Sequence, residues 1–198
     1  MPGGRGLLWR CDAVAFKPVD TQREHDWICE TYDAWPSSAD VGVADGFHAA
    51  TASLTRPAFL DDRHDPWAIG DKVAFGEEEP VAARRFVRQA LAGCAPMTDL
   101  SQVVHGDLTG NVLRTAEGSA VVIDWPPYFR PSGWALAVVA TDAVCWQGAD
   151  LSLLREWDDV SSWPQLLRRA LAYRVTTRAL VEDDPDLTRE LQVLEEVS

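Results

Sequence analysis

Positive charge is scarce in this sequence relative to negative. Lysine and arginine together number 18 against 31 aspartates and glutamates, giving a formal charge of −13 and a pI near 4.6. That balance makes duplex nucleic acid and anionic membrane surfaces poor partners, because both bind proteins chiefly through basic side chains. Paired cysteines are missing as well. Cys11, Cys29, Cys94 and Cys145 lie far apart with no C-x-x-C spacing, which argues against a zinc knuckle or a redox dithiol and fits thiols in a reducing cytoplasm. Long apolar runs are absent too. The opening residues hold no stretch of signal-peptide length. The most apolar segment, Trp134 to Trp146, is interrupted by Asp142 and falls short of the roughly 20 residues a bilayer span requires. It reads as a buried helix. There is neither an internal repeat nor a low-complexity tract.

What is present suits a globular protein. With 198 residues, 46% of them apolar and 25% charged, the chain can build one sizeable core or two small lobes sharing a cleft. The nine tryptophans supply a large aromatic payload for such a core.

Periodicity gives a coarse plan. Residues 13–17 read as a strand stopped by Pro18, and Asp20-Thr21 opens a helix running to Trp35. A turn-rich break covers 36–46, a short helix 47–54, and a linker rich in charge and proline 55–66. An amphipathic helix is expected over 80–93, with Gly93 suited to its C-terminus. Residues 102–105, 111–114 and 119–124 read as short β segments. From Gly133 the pattern is helical, over 133–146, 151–157, 163–181 and 185–196.

The two later β segments carry the chemistry. A four-residue loop, Ala116 to Ser119, pairs Thr115 with Ala120, Leu113 with Val122, and Asn111 with Asp124. Directly opposed residues hold their Cβ atoms about 4.5–5.5 Å apart. Two oxygen-bearing side chains at that spacing can share a hard cation, at roughly 2.0–2.1 Å per bond for magnesium. Asp107 lies on the loop leading into the first of these strands. Two carboxylates and an amide therefore converge as a metal-site candidate.

The order His105-Gly106-Asp107, then Asn111, then the apolar strand Val121-Val122-Ile123 ending in Asp124-Trp125 resembles the aminoglycoside phosphotransferase and choline kinase group, relatives of the protein kinases. The resemblance implies an α+β, protein-kinase-like fold. A reduced N-terminal lobe of strand plus helix would span 1–46, and a mainly helical catalytic lobe bearing the hairpin would span 47–198. It implies an ATP- and Mg2+-dependent enzyme of the cytoplasm that phosphorylates a hydroxyl of a small-molecule acceptor. Asp107 would be the catalytic base, and Asn111 and Asp124 the magnesium ligands. His105 and Asp142 would support the catalytic loop. Lys17 would neutralise nucleotide phosphates with Glu24 as its helix partner, although Thr21-x-x-Glu24 is equally a capping box.

Two departures accompany the resemblance. The family usually has four residues between Asp and Asn; here there are three, Leu108, Thr109 and Gly110, which resembles a bacterial branch with the shorter H-G-D-L-T-G-N form. One residue spans up to about 3.3–3.6 Å, and Gly110 can adopt backbone angles that tighten the loop. The second departure is the first lobe, where the eleven residues Pro36 to Gly46 replace two strands and a hinge. Two alternatives follow. One is an inactive or truncated kinase-like protein. The other is a metallophosphoesterase using Gly106-Asp107, Gly110-Asn111 and the upstream Asp62-Arg63-His64, although Val112 stands where that class needs histidine.

Overall fold

The computed structural model describes residues 9–11, 14–16, 43–114, 120–122 and 124–198. The architecture is mixed α+β, mostly helical, with small two-stranded sheets. The chain packs as two compact units. One comprises the residues up to Phe59 together with Gln102–Phe129, and the other Leu60–Ser101 together with Arg130–Ser198. The hairpin segment thus groups with the N-terminal residues.

In the first unit, β1 (Trp9–Cys11) pairs antiparallel with β2 (Val14–Phe16). The second strand falls within the expected 13–17; the first had no distinct sequence signal. Helix α1 (Val43–Thr51) lies four residues earlier than the periodicity suggests. It is fastened to β3 (Gln102–His105) by side chains that reach main-chain oxygens. Thr51 Oγ1 donates to Val103 O at 2.8 Å, and Gln102 Nε2 to His48 O at 2.6 Å. A small core of Phe47, Val103 and Trp125 fills the interface, flanked by Leu54, Val122 and Phe129. Burying aromatic and aliphatic side chains of this size contributes about 1.5–3 kcal/mol each. Strand β4 (Val112–Arg114) pairs antiparallel with β5 (Ala120–Val122), and β3 pairs with β6 (Pro127–Arg130).

The second unit is helical: α2 (Pro66–Ala74), α3 (Arg84–Leu91), α4 (Ser132–Trp146), α5 (Trp163–Val181) and α6 (Thr188–Glu196), with 3-10 turns at Leu151–Arg155 and Ala58–Asp62, the latter straddling the boundary between units. The expected helix over 163–181 is found with those bounds, Pro164 sitting in its first turn where a missing N–H costs nothing. Helix α2 begins inside what reads as a linker. Asp65 caps it by accepting from the N–H groups of Trp67 and Ala68.

Helix α5 is buried on almost every side, and its neighbours come close. A Cβ at Gly70 of α2 would lie 2.5 Å from Thr177 Oγ1 and 2.8 Å from Tyr173 O. Trp134 of α4 meets the rings of Phe75 and Tyr173 edge-on. Several buried charges inside this unit are paired. Arg130 bonds Asp71 through both carboxylate oxygens at 2.8 Å, reaches Glu77 Oε1 at 2.6 Å, and lies 4.1 Å over the Phe75 ring. Burial works against the Arg130 cation, but its two carboxylate partners outweigh it and raise the guanidinium above its ordinary value. Among the described residues no helix is long and apolar enough to cross a membrane.

Candidate functional site

Strand β3 delivers the chain to His105, whose ring is wholly buried and packs edge-on against Phe47 at 5.5 Å. Its Nδ1 accepts the backbone N–H of Asp107 at 3.1 Å. An accepting Nδ1 carries no proton, so this hydrogen bond assigns the neutral ring the Nε2–H tautomer. Gly106 must be glycine for a reason visible only in three dimensions. A Cβ there would lie 2.2 Å from the Tyr128 ring of β6. The close fit of Tyr128 on Gly106 fixes where the loop leaves the strand. Sequence reasoning missed Tyr128 and its strand, because Pro126-Pro127 reads as a turn.

The loop then folds back on itself. Asn111 N–H donates to Leu108 O at 3.0 Å, with Gly110 at φ +82°. A type II turn requires such an angle at its third residue. The turn therefore closes the three-residue spacing, and Gly110 supplies the conformation that makes it possible. The side chain of Asn111 is buried and donates through Nδ2 to Asp107 O at 2.6 Å, with Asp107 Oδ2 at 3.5 Å. This orients the amide: its nitrogen faces Asp107, leaving Oδ1 as the atom a cation would meet.

The hairpin follows, and here one expectation is corrected. Val112 pairs with Val122, Leu113 with Val121 and Arg114 with Ala120. The register is displaced by one residue from the expected Leu113–Val122 pairing, so Asn111 is not directly opposed to Asp124. Because side chains alternate faces, a one-residue slip regroups every cross-strand neighbour.

Asp124 lies just beyond β5 with φ +51°. The left-handed region costs most L-residues about 1–2 kcal/mol, and aspartate tolerates it better than most. Trp125 anchors the next position. It is buried, meets the Phe47 ring edge-on at 5.0 Å, and donates from Nε1 to Val104 O at 3.4 Å. Asp107, Asn111 and Asp124 all belong to the first unit, carried on loops that leave β3 and β5.

The remaining expected residues belong to the second unit or lie outside the described residues. Asp142 lies in α4 of the helical unit, 2% exposed, where Arg174 of α5 grips both carboxylate oxygens at 2.9 and 2.5 Å. That partner satisfies the demand that an ionised carboxylate among valines and alanines be paired. Nothing near Asp142 in the sequence announces Arg174. Lys17 and Glu24 lie outside the described residues, as does the expected helix from Asp20 to Trp35. Asp62 and His64 of the D-x-H element fall in the helical unit, and Arg63 between them bonds Asp65 at 3.0 Å. Among the described residues no group of three or more histidine, cysteine, aspartate or glutamate side chains gathers as a metal centre. Compared with known proteins, the chain matches no family model, no curated protein and no solved structure.

Proposed function

We propose that this chain is an ATP- and magnesium-dependent phosphotransferase, kinase-like in plan, that moves a γ-phosphate onto a hydroxyl of a small molecule in the cytoplasm. The observation that carries the proposal is the locked loop His105–Asn111. A buried imidazole holds the Asp107 backbone, and the Asn111 amide nitrogen is committed to Asp107, which leaves the amide oxygen as the group that could bind a cation. Phosphoryl transfer leaves the protein little covalent chemistry, so catalysis rests on positioning and charge stabilisation. In this reading Asp107 aligns the acceptor hydroxyl and takes its proton. Asn111 Oδ1 and the Asp124 carboxylate hold magnesium, which would neutralise charge on the nucleotide phosphates. Lys17 with Glu24 is the proposed phosphate clamp. The acidic surface leaves no nucleic acid or membrane partner in this proposal.

Calorimetry and turnover together test it. Asp107→Asn is expected to keep nucleotide affinity while lowering acceptor phosphorylation by about 10²–10⁴-fold, the usual range for a general base. Asp124→Ala is expected to abolish the magnesium-dependent part of nucleotide binding. Equal magnesium-dependent binding by wild type and Asp124→Ala would sink the proposal. A second reading, an inactive kinase-like protein, is favoured by the one-residue register offset that takes Asn111 out of direct opposition to Asp124. Under it, the wild type binds nucleotide equally with and without magnesium.

A further inference from the structure

The turn Leu108–Asn111 contains a group that the roles of Asp107 and Asn111 leave unused. Thr109 occupies the second position of this type II turn, before Gly110. The residue is only partly buried, yet its Oγ1 is fully covered and among the described residues finds no hydrogen-bond partner. A partly exposed threonine has an obvious alternative, a χ1 rotation that turns the hydroxyl toward solvent. Covering an unsatisfied hydroxyl instead is unfavourable. The backbone N–H groups of Thr109 and Gly110 also enter no hydrogen bond among the described residues. Their neighbours differ: the Asp107 N–H is held by His105, and the Asn111 N–H and amide close the loop. The turn is thus fastened at both ends with its middle donors uncommitted.

Uncommitted donors on adjacent residues select an acceptor-only ligand, which points to an oxyanion. Asp107, two residues away, would repel a bare anion, so the ligand must arrive with its own cation. Both conditions describe an oxygen of a magnesium-bound phosphoryl group. We infer that the Thr109 hydroxyl, with the turn's N–H groups, binds a phosphoryl oxygen after a χ1 rotation that uncovers Oγ1. The inference rests on the phosphotransferase proposal and narrows it. The three-residue spacing between Asp107 and Asn111 then places a hydroxyl donor between the base and the metal ligand.

Thr109→Val keeps the shape of the side chain and removes the hydroxyl; Thr109→Ser keeps the hydroxyl. The probes are ATP with magnesium and pyrophosphate with magnesium, read by calorimetry alongside the thermal midpoint of each unliganded protein. Thr109→Val is expected to weaken both ligands about tenfold or more, as the loss of a hydrogen bond to a charged group does. Thr109→Ser should stay within about threefold of wild type. The unliganded Thr109→Val midpoint should be no lower than that of wild type, because an unsatisfied group has been removed. Unchanged affinity of Thr109→Val for both ligands overturns the inference while leaving the phosphotransferase proposal standing. So does a loss confined to ATP, or a lowered unliganded midpoint, which would make the hydroxyl structural. A wild type that binds neither ligand overturns both.

Discussion

Replacing Asp142 by alanine strips the carboxylate from a pair that is almost dry. Asp142 is 2% exposed and Arg174 6%, and two hydrogen bonds join them at 2.9 and 2.5 Å. Removing one member of a buried ion pair costs about 3–5 kcal/mol, because the surviving charge has lost its compensating partner in a medium that solvates it badly. Typical domains hold only about 5–15 kcal/mol in total, so the loss is a large fraction of stability. At about 2–4 °C per kcal/mol for a chain of this size, the thermal midpoint should fall by roughly 6–20 °C. Urea unfolding followed by circular dichroism measures the change, with Arg174→Ala and the double variant completing a cycle. The double variant should lose much less than the sum of the singles. Asp142→Leu combined with Arg174→Met should recover most of the loss, since apolar replacements of similar volume are often tolerated at such sites. A single-variant cost below about 1 kcal/mol, or a coupling near zero, would show that water reaches the pair and would refute the argument.

Gly106→Ala should destabilise the first unit by about 1–3 kcal/mol or more, the usual range for overpacking, because its methyl would have to displace the Tyr128 ring; a neutral result in urea unfolding would mean the ring moves aside freely. Gly110→Ala should cost about 1–2 kcal/mol through φ alone, since nothing lies within 4 Å of the added Cβ. Gly110→Asn should cost less, asparagine being the other residue that suits this turn position, and equal losses for the two would show that the turn is not type II. Burial, with Glu190 and Asp142 nearby, pushes the Cys145 thiol up from 9.0 to about 12. The unfolded chain therefore ionises first, and this thiol's contribution to stability is lost as pH rises from about 9 to about 12. A variant with Cys145 as its sole cysteine should resist alkylation at pH 9; rapid labelling of the folded protein there would count against the shift.

Local signals in the sequence carried the elements, and pairwise geometry did not follow from them. The helix at 163–181 was legible because apolar positions recur at helical spacing behind Pro164. The hairpin strands were legible as apolar runs, but Val112-Leu113 and Val121-Val122 are apolar on both faces. Either register presents apolar residues on both faces, so alternation could not choose between them. Helix α2 was hidden by its own start signal: Asp65-Pro66 marks an N-cap followed by a first-turn proline, and the same dipeptide marks turns. The loop His105–Asn111 could be read as a motif, whereas the Tyr128 ring over Gly106 comes from a strand more than twenty residues away. Arg174 stands 32 residues from Asp142 and Arg130 59 from Asp71. Such pairings are set by tertiary packing, to which no local pattern responds.

The interleaving of the two units along the chain has a consequence during synthesis. Helices α2 and α3 emerge early, but the helix that covers Gly70 and its neighbours spans Trp163–Val181. Between them the ribosome must make the rest of the first unit, including all of Gln102–Phe129. At about 5–20 residues per second, the apolar faces of α2 and α3 wait roughly five to twenty seconds for their cover. The first unit, by contrast, has its last strand soon after residue 130 leaves the exit tunnel. A nascent chain halted at that point would display Val73, Ala74, Phe86 and Val87, all buried in the finished protein, as a binding surface for chaperones.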